Sequence, residues 1–311
     1  MSRPTLVTGA AGFAGSHVLD LLAAGATDRV AWHRPGTAPV PGDGTIRWQA
    51  VDILDRAAVR EAIRAMQPQA VYHCAGAAHV GQAWDTTTAT LATNVRGTHH
   101  VLRALERSGV EARVFVPSSA LVYASADRAL DEDQPLRPSN PYGLSKLAQE
   151  MLGVRSNGRL RVTIARPFNH IGPRQDPYFV ASGFARRIAD IEAGRWEPVI
   201  SVGNLDARRD LMDVRDTVRA YQIIMERGQP GRPYNVCSGN AIAIRDLLER
   251  LIARARVPVE VKVDPARYRP NDTPLLLGDP ARMRDELGWS AQIPMERTLD
   301  DLLEYWRTRT P

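Results

Sequence analysis

A glycine-rich segment near the start of the chain limits the possible folds more than any other feature. Residues 8–16, TGAAGFAGS, place Gly9, Gly12 and Gly15 three residues apart. They follow the apolar run TLVTGA and open a segment near 12–24 whose apolar residues have helical spacing. A glycine turn between a strand and a helix lets the backbone approach a pyrophosphate, whose charge the helix N-terminus stabilises. The segment therefore predicts a dinucleotide-binding α/β fold.

The first half of the chain alternates short apolar runs with amphipathic segments. The runs predicted as strands are TLVTGA, RVAWH, IRWQAVDI, QAVYHCAG, ARVFVPSS and RVTIARP, and the predicted helices lie near 12–24, 55–66, 86–108 and 141–155. Strands and helices that alternate at this spacing form βαβ units. We therefore expect a doubly wound parallel (Rossmann) sheet in residues 1–168, which would be the dinucleotide-binding domain.

The second half of the chain has a different rhythm. After about residue 170, the loops HIGPRQDP, RGQPGRP and RYRPNDTP separate a few short helical and strand-like segments. This pattern predicts a smaller α/β substrate-binding domain in residues 169–311. Two segments near 208–238, RRDLMDV and RPYNVCS, are predicted to return to the dinucleotide-binding domain.

The charge of the chain indicates what kind of partner it would attract. The 311 residues include 40 Lys+Arg and 35 Asp+Glu, which gives a formal net charge of +5. The arginines are spread along the sequence rather than grouped with aromatic residues, so we expect no nucleic-acid partner. A positive field of this kind suits a small polyanionic substrate.

Apolar runs and cysteines limit the location and the chemistry. No apolar run approaches the roughly 18 residues of a membrane span, and no signal peptide precedes the first predicted strand. We therefore expect a cytoplasmic protein without a membrane partner. Cys74 and Cys237 are the only two cysteines, and both lie in apolar, strand-like surroundings. They are interpreted as buried thiols, so neither a disulfide nor a metal site is expected.

The segment PYGLSK contains one of only two lysines in the chain. Lys146 lies four residues after Tyr142, whereas Lys262 has no comparable neighbour. Ser139 or Asn140 could cap a helix here, and the tyrosine and the lysine would then lie one turn apart on the same face. A nearby ammonium favours the phenolate form of a tyrosine, whose ordinary pKa is near 10. The pair is therefore a candidate for acid–base chemistry.

The glycine spacing and the tyrosine–lysine pair together resemble the extended short-chain dehydrogenase/reductase family, also called the NAD-dependent epimerase/dehydratase family. The family places a hydroxyl residue upstream of the pair, and Ser119 in VPSSALVYA occupies that place. The resemblance implies that Tyr142 donates a proton, Ser119 orients the substrate oxygen and Lys146 tunes the tyrosine. Asn94, in LATNVRGTHH, resembles the asparagine that completes the family's proton relay.

The second predicted strand indicates which dinucleotide is bound. Folds of this class often place an acidic residue at the end of that strand, but VAWHRPG has none and carries Arg34 instead. A guanidinium suits a 2′-phosphate, so NADP(H) is favoured and NAD(H) stays possible, although an arginine here could also simply face solvent. The predicted cofactor-binding residues are Gly9, Gly12, Phe13, Ala14, Gly15, Arg34, Asp52, Ile53, Ala75, Gly76, Ala77, Tyr142, Lys146 and Pro167.

Several stretches of the second half resemble the nucleotide-diphosphate-sugar enzymes of this family, and among them the GDP-4-keto-6-deoxy-D-mannose reductases. These stretches are ARPFNHIGPRQ, RRDLMDVRD, YNVCSG and RPNDTPLLLGDPARMRDELGW. The resemblance implies that Asn169, Arg209 and Arg269 contact the nucleotide diphosphate. It also implies that Asp272 contacts the ribose. The predicted substrate-binding residues are His79, Ser119, Asn169, Arg209, Arg269 and Asp272.

One missing carboxylate separates two reaction types within the family. Related 4,6-dehydratases carry a glutamate two residues after the position of Ser119, whereas this chain has Leu121 there. We therefore expect NAD(P)H-dependent reduction of a C4 ketone, in particular of GDP-4-keto-6-deoxy-D-mannose to GDP-D-rhamnose. The alternatives are a C4 epimerase with tightly bound NAD, or a non-catalytic dinucleotide sensor. The resemblance also implies a homodimer that forms through the helices near 86–108 and 141–155.

Overall fold

The strands that the structure describes fall into one large sheet and two smaller ones. The computed structural model describes residues 3–25, 28–37, 44–156, 158, 160–267 and 273–309. Its strands are β1 (Thr5–Thr8), β2 (Arg29–His33), β3 (Ile46–Ala50), β4 (Ala70–His73), β5 (Arg113–Pro117), β6 (Arg161–Pro167), β7 (Asn169–Ile171), β8 (Val199–Val202), β9 (Arg208–Asp213), β10 (Pro233–Val236), β11 (Ala241–Ala243), β12 (Glu260–Val263) and β13 (Leu275–Leu276).

Helices connect most of these strands. They are α1 (Phe13–Ala23), α2 (Arg56–Met66), α3 (Thr87–Leu91), α4 (Thr98–Ser108), α5 (Pro141–Arg155), α6 (Val180–Glu192), α7 (Val214–Arg227), α8 (Ile244–Ile252), α9 (Ala281–Leu287) and α10 (Met295–Arg307). A π-helical segment, Ala92–Gly97, joins α3 to α4, and short 3₁₀ turns lie at Ala120–Val122 and Pro265–Arg267. The single helix predicted near 86–108 is therefore interrupted in its middle.

The large sheet confirms the predicted fold class. Within the described residues it has seven strands in the order β10-β6-β5-β4-β1-β2-β3, and the neighbouring strands run parallel. Strands β1 to β6 have the order 3-2-1-4-5-6 of a doubly wound dinucleotide-binding sheet. All six strands predicted in the first half are present, at or within the predicted segments.

Alternating side chains bury both faces of the large sheet. In β1, Leu6 belongs to a core cluster with α2 and α4, whereas Val7 belongs to a cluster with α1 and α7. In β5, Val114 and Phe115 divide between the two clusters in the same way. Successive side chains of a strand point to opposite faces of the sheet, and here both of them are apolar. A parallel sheet covered by helices on both faces requires this pattern.

Residues 208–238 are shared between the large sheet and the rest of the chain. Strand β10 joins the large sheet beside β6, and α7 packs on it. Strand β9 instead pairs with β7, β11 and β13 in a small sheet, while β8 and β12 form a separate pair. A core of its own, with Leu247 and Leu299 among its members, lies between α6, α8 and α10.

The parallel strands bring four chain segments to one edge of the large sheet. Thr8 of β1 lies level with His73 of β4, so the glycine segment and residues 74–77 follow neighbouring strands. Ser119 follows β5, and β6 ends next to it at Pro167. Crevices at the carboxyl ends of such strands are where doubly wound sheets bind ligands.

None of the helices in the described ranges is both long enough and apolar enough to cross a bilayer.

Candidate active site

The glycine segment forms a turn that can accept a pyrophosphate. Gly9 has a φ of +63°, and a Cβ added there would lie 2.6 Å from the Cα of Ala75. A Cβ on Gly15 would collide with the carbonyl oxygen of Gly9. Helix α1 begins at Phe13 with Gly12 as its N-cap, and no side chain caps it within the described structure. Its first N–H groups are therefore available to an anion, so these residues fit the pyrophosphate of a dinucleotide.

Arg34 lies directly after β2, beside the glycine segment. Its side chain is exposed and makes no hydrogen bond or ion pair with another described residue. Asp52 follows β3, and its carboxylate accepts a hydrogen bond from the N–H of Leu54 at 2.9 Å. Ile53 is buried in the core and its carbonyl is hydrogen-bonded to His100 Nδ1 at 3.0 Å, so its side chain cannot face a ligand.

Asn94 connects the turn after β4 to the helix that carries the tyrosine–lysine pair. Its side-chain oxygen accepts from the N–H of Ala77 at 2.7 Å, and its amide donates to the carbonyl of Ala77 and to Ser145 Oγ. Ser145 in turn donates to the carbonyl of Tyr142 at 2.7 Å. Asn94 lies in the π-helical segment, and such segments are frequent at functional sites. Its side chain makes no described hydrogen bond to Lys146.

Helix α5 begins as the sequence indicated. Asn140 is its N-cap, and its side chain accepts from the N–H of Gly143 at 2.8 Å, so the asparagine rather than Ser139 caps the helix. Tyr142 is partly buried and lies near Ser119. Burial raises the pKa of Tyr142 to about 12, and the hydroxyl of Ser119 opposes that shift.

Lys146 is buried, and its ammonium is hydrogen-bonded to a residue of the next turn of α5. Its Nζ donates to Gln149 Oε1 at 2.5 Å, and burial lowers its pKa to about 7. In the structure, burial dominates the pKa of both groups, so the predicted lowering of the Tyr142 pKa by this ammonium stays a prediction. Burial disfavours the charged form of both groups, and no described hydrogen bond joins them.

Four side chains that the sequence analysis did not identify as site residues form a series of hydrogen bonds that starts at Lys146. Gln149 donates to Thr98 Oγ1 at 2.9 Å, and Thr98 is also hydrogen-bonded to His73 Nε2 at 2.9 Å. His73 Nδ1 is hydrogen-bonded to Thr8 Oγ1 at the end of β1. All of these polar groups are buried. The signal in the sequence was a polar residue inside an otherwise apolar strand or on the inner face of a helix.

A second buried network supports the other side of α5. Arg166 donates to both carboxylate oxygens of Glu150, at 3.1 and 2.6 Å, and to the hydroxyl of Tyr123 at 2.9 Å. Tyr123 donates to Asn235 on β10 at 2.7 Å. Because this charge pair is bidentate and has further hydrogen-bond partners, it fixes α5 against β6 and β10.

Leu121 lies in an apolar environment next to the candidate site. Its side chain packs against a cluster that includes Phe168, together with Leu147 of α5. The N–H of Leu121 donates to Ser119 Oγ at 3.1 Å, which holds that hydroxyl at the end of β5. The position after Ser119 and Ala120 therefore contributes no acid–base group.

The predicted substrate-binding residues that the structure describes lie on loops and short strands around the same edge. His79 stacks on Phe179, with ring centroids 5.2 Å apart, and lies 4.0 Å from the carboxylate of Asp176. Asn169 is exposed at the start of β7. Arg209, on β9, is half-buried and donates to the carbonyl of Thr273 at 2.6 Å. Arg269 and Asp272 lie outside the described residues.

Comparison with known proteins identifies relatives that span the whole chain. The family model described as GDP-mannose 4,6 dehydratase matches residues 6–302. GDP-6-deoxy-D-mannose reductase of Pseudomonas aeruginosa is 36% identical over 99% of this chain and 99% of its own length. UDP-glucose 4-epimerase of Mycolicibacterium smegmatis is 28% identical over 98% of this chain and 99% of its own.

A solved structure shows the same architecture. That of RMD from Pseudomonas aeruginosa complexed with NADPH is 34% identical, covers 99% of this chain and 100% of its own, and gives a TM-score of 0.86. The reductase, the epimerase and the dehydratase family model each match most of the chain. All three therefore indicate the same family, although their activities differ. The chain therefore belongs to the GDP-mannose 4,6-dehydratase family of extended short-chain dehydrogenases/reductases.

Proposed function

We propose that this protein reduces the C4 ketone of a nucleotide-diphosphate 4-keto-6-deoxysugar with NADPH, converting GDP-4-keto-6-deoxy-D-mannose to GDP-D-rhamnose. The observation that carries the proposal is the meeting of Ser119, Tyr142 and Lys146 at the carboxyl edge of the sheet, beside the glycine turn. The relative from Pseudomonas aeruginosa, a GDP-6-deoxy-D-mannose reductase, supports the choice of substrate.

The cofactor-binding residues hold the dinucleotide by backbone and by one exposed guanidinium. The turn at Gly9 and the uncapped N-terminus of α1 bind the pyrophosphate. Arg34, exposed at the end of β2, binds a 2′-phosphate with charge-assisted hydrogen bonds, which favours NADP(H) over NAD(H). Asp52, the backbone of Ile53 and the turn at 75–77 line the remainder of the site. When bound, the nicotinamide supplies the hydride.

Tyr142 supplies the proton. Its raised pKa keeps the phenol protonated at neutral pH, which is the form that can donate to the oxygen of a ketone under reduction. Ser119 lies near Tyr142 and orients the same substrate oxygen. Lys146 lies one helical turn away, where its ammonium stabilises the phenolate that remains after the proton has left.

The substrate half holds the nucleotide diphosphate. Arg209 and Asn169 lie on neighbouring strands, β9 and β7, which pair in parallel. We propose that both contact the diphosphate, that Arg269 contacts it as well, and that Asp272 contacts the ribose. We also propose the division into a dinucleotide-binding domain of residues 1–168, with β10 returned to it, and a substrate-binding domain of residues 169–311.

Two features distinguish reduction from the other reactions of the family. The 4,6-dehydratases need a carboxylate two residues after the position of Ser119, and Leu121 packs there in an apolar cluster. An epimerase keeps its NAD through the cycle, whereas the exposed Arg34 favours a cofactor that carries a 2′-phosphate.

We further propose that a second copy of the chain covers the outer face of α5. Leu144, Met151 and Val154 are 51%, 65% and 45% exposed, which is unusual for large apolar side chains. Met151 and Val154 lie seven and ten residues after Leu144 on the same helix, so the three side chains form a single stripe. Met151→Glu should shift the protein to a monomer in light scattering, whereas the exposed Arg64→Glu on α2 should not.

The experiment that tests the reaction measures NADPH consumption with a panel of 4-keto-6-deoxy nucleotide sugars. We expect turnover that depends on the sugar, with a GDP sugar preferred, and a product whose NMR spectrum shows a new C4 hydroxyl. Stoichiometric NAD bound to the purified protein, with no use of added NADPH, would contradict the proposal and indicate an epimerase.

A further inference from the structure

A buried chain of hydrogen bonds connects the lysine of the tyrosine–lysine pair to the end of β1. From Lys146 it passes through Gln149, Thr98 and His73 to Thr8, with contacts of 2.5 to 2.9 Å. Thr8 is the residue directly before Gly9, and its hydroxyl also accepts from the N–H of Ala75. This series of hydrogen bonds therefore ends at the base of the turn that fits the pyrophosphate.

The residues in this series of hydrogen bonds allow only one arrangement of donors and acceptors. Thr98 donates its single hydroxyl hydrogen to the carbonyl of Asn94 at 2.6 Å. Gln149 and His73 must therefore both donate to Thr98 Oγ1. His73 is then protonated on Nε2, and its Nδ1 accepts from Thr8. A neutral ring agrees with its burial, which lowers the pKa of His73 to about 3.

The amide of Gln149 has a fixed direction for the same reason. Its nitrogen faces Thr98, so its oxygen faces the ammonium of Lys146. Gln149 has no exposed surface, and Lys146 is 6% exposed. A buried ammonium without an acceptor would be costly, since nothing else in the described structure accepts a hydrogen bond from this lysine. Packing alone therefore does not explain a glutamine at this position.

The charged and titratable groups around Lys146 come from two elements. Cys74 and His73 face it from the end of β4, and Glu150 faces it from its own helix. Glu150 is bound to Arg166, so it is already neutralised by a partner. Gln149 is the neutral group that accepts directly from the ammonium.

We propose that Gln149 is a positioning residue for Lys146, which it holds in place relative to the glycine turn through Thr98, His73 and Thr8. The glutamine acts through the lysine and touches neither cofactor nor substrate. The inference rests on the proposed function only for its effect on turnover. The placement itself is a property of the protein without substrate.

Because the chain has only two lysines, the proposal can be tested in the protein itself. Labelling with [ε-¹³C]lysine gives one resonance for Lys146 and one for Lys262, which is exposed and serves as the control within the same molecule. Gln149→Met keeps the length of the side chain but removes the acceptor. Gln149→Glu keeps the acceptor and adds a negative charge.

We expect the two variants to move the titration of Lys146 in opposite directions. Loss of the acceptor destabilises the ammonium and lowers the pKa of Lys146, whereas a carboxylate at that place raises it, each by about one pH unit. The Lys262 resonance should titrate as in the wild type. In steady-state kinetics with NADPH, the high-pH limb of kcat/KM should move to lower pH in Gln149→Met and to higher pH in Gln149→Glu.

The outcomes separate this inference from the proposed reaction. If Lys146 titrates identically in the wild type and in Gln149→Glu, Gln149 does not position it, whatever the activity. If the resonance moves as expected but no 4-keto sugar is reduced by the wild type, the positioning stands and the proposed function fails. A merely structural glutamine would lower thermal stability in both variants without separating their pH profiles. That result would overturn the proposal.

Discussion

The two sides of the candidate site are built in different ways. The side that fits the dinucleotide relies on backbone, since Gly9 has a positive φ and the N-terminus of α1 is uncapped in the described structure. The side assigned to the nucleotide sugar relies on side chains of short strands and loops, such as His79 and Arg209. Backbone geometry is fixed by the parallel sheet, whereas side chains can be exchanged singly. The cofactor side should therefore tolerate fewer substitutions than the substrate side.

The largest effect is expected at the boundary between the two sides. Tyr142→Phe removes the proposed proton donor, so kcat should fall by roughly 10²–10⁴-fold while NADPH still binds. Turnover by stopped-flow absorbance and binding by NADPH fluorescence check the two parts. Tyr305→Phe, on α10, is the matched control. Full turnover in Tyr142→Phe would exclude the tyrosine as the proton donor.

On the cofactor side, Gly9→Ala should abolish the site rather than weaken one contact. The left-handed φ costs a non-glycine residue about 1–2 kcal/mol, and the new Cβ would lie 2.6 Å from Ala75. NADPH affinity should fall by more than about 100-fold, as measured by fluorescence titration. Gly109→Ala is the control, because Gly109 has a φ of +71° but no atom within 4 Å of the added Cβ. Equal NADPH affinity in the two variants would contradict the proposed role of the turn.

On the substrate side, Arg209→Gln should change one binding constant only. Loss of a charge-assisted hydrogen bond costs about 1.5–3 kcal/mol, so KM for the nucleotide sugar should rise roughly 10–100-fold. KM for NADPH should stay unchanged. Its neighbour on β9, Arg208→Gln, should behave like the wild type. A change in NADPH affinity instead would show that the two sides are not separable at this residue.

Arg34→Gln tests whether the cofactor side has one replaceable side chain. Its guanidinium is exposed, so we expect a moderate effect, with the preference for NADPH over NADH reduced about tenfold. The ratio of kcat/KM for the two cofactors measures it. Arg64→Gln on α2 is the control. An unchanged ratio would mean that Arg34 merely faces solvent.

The last prediction concerns the stability of the fold rather than binding or turnover, and it is a dependence on pH caused by the buried His73. His73 has a folded-state pKa of about 3 because it is buried. As the pH falls below about 6.5, this histidine is therefore protonated in the unfolded chain but stays neutral in the folded protein. This residue should therefore lower the free energy of unfolding by up to about 1.4 kcal/mol per pH unit in that window. Denaturant titrations at pH 7 and pH 5 should show a smaller loss in His73→Asn than in the wild type. His33→Asn, at a half-exposed position, is the control.

The same contrast explains what could be predicted from the sequence. The strands, the glycine turn and the start of α5 follow from local patterns, because apolar alternation, Gly9 and the Asn140–Pro141 cap each act within a few residues. The direction of the Lys146 side chain could not be predicted in this way. It depends on Gln149 and on Thr98, and Thr98 is far away in the sequence. The raised pKa of Tyr142 likewise depends on burial, which only the folded chain determines.

The interruption of the helix predicted near 86–108 has the same origin. The period of its apolar residues indicates a helix throughout, but the π-helical segment Ala92–Gly97 is set by tertiary contacts. In that segment Asn94 is bound to Ala77 and to Ser145, two partners from different elements. Long-range hydrogen bonds of this kind leave no local signal in a sequence.

The most direct test of the proposed reaction follows one hydride. The protein would be incubated with GDP-4-keto-6-deoxy-D-mannose and NADPH that carries deuterium on the transferred position of the nicotinamide, and the product would be examined by NMR. We predict one equivalent of deuterium at C4 of GDP-D-rhamnose for each NADPH oxidised. A C4 epimer without deuterium, or no consumption of NADPH, would contradict the proposal.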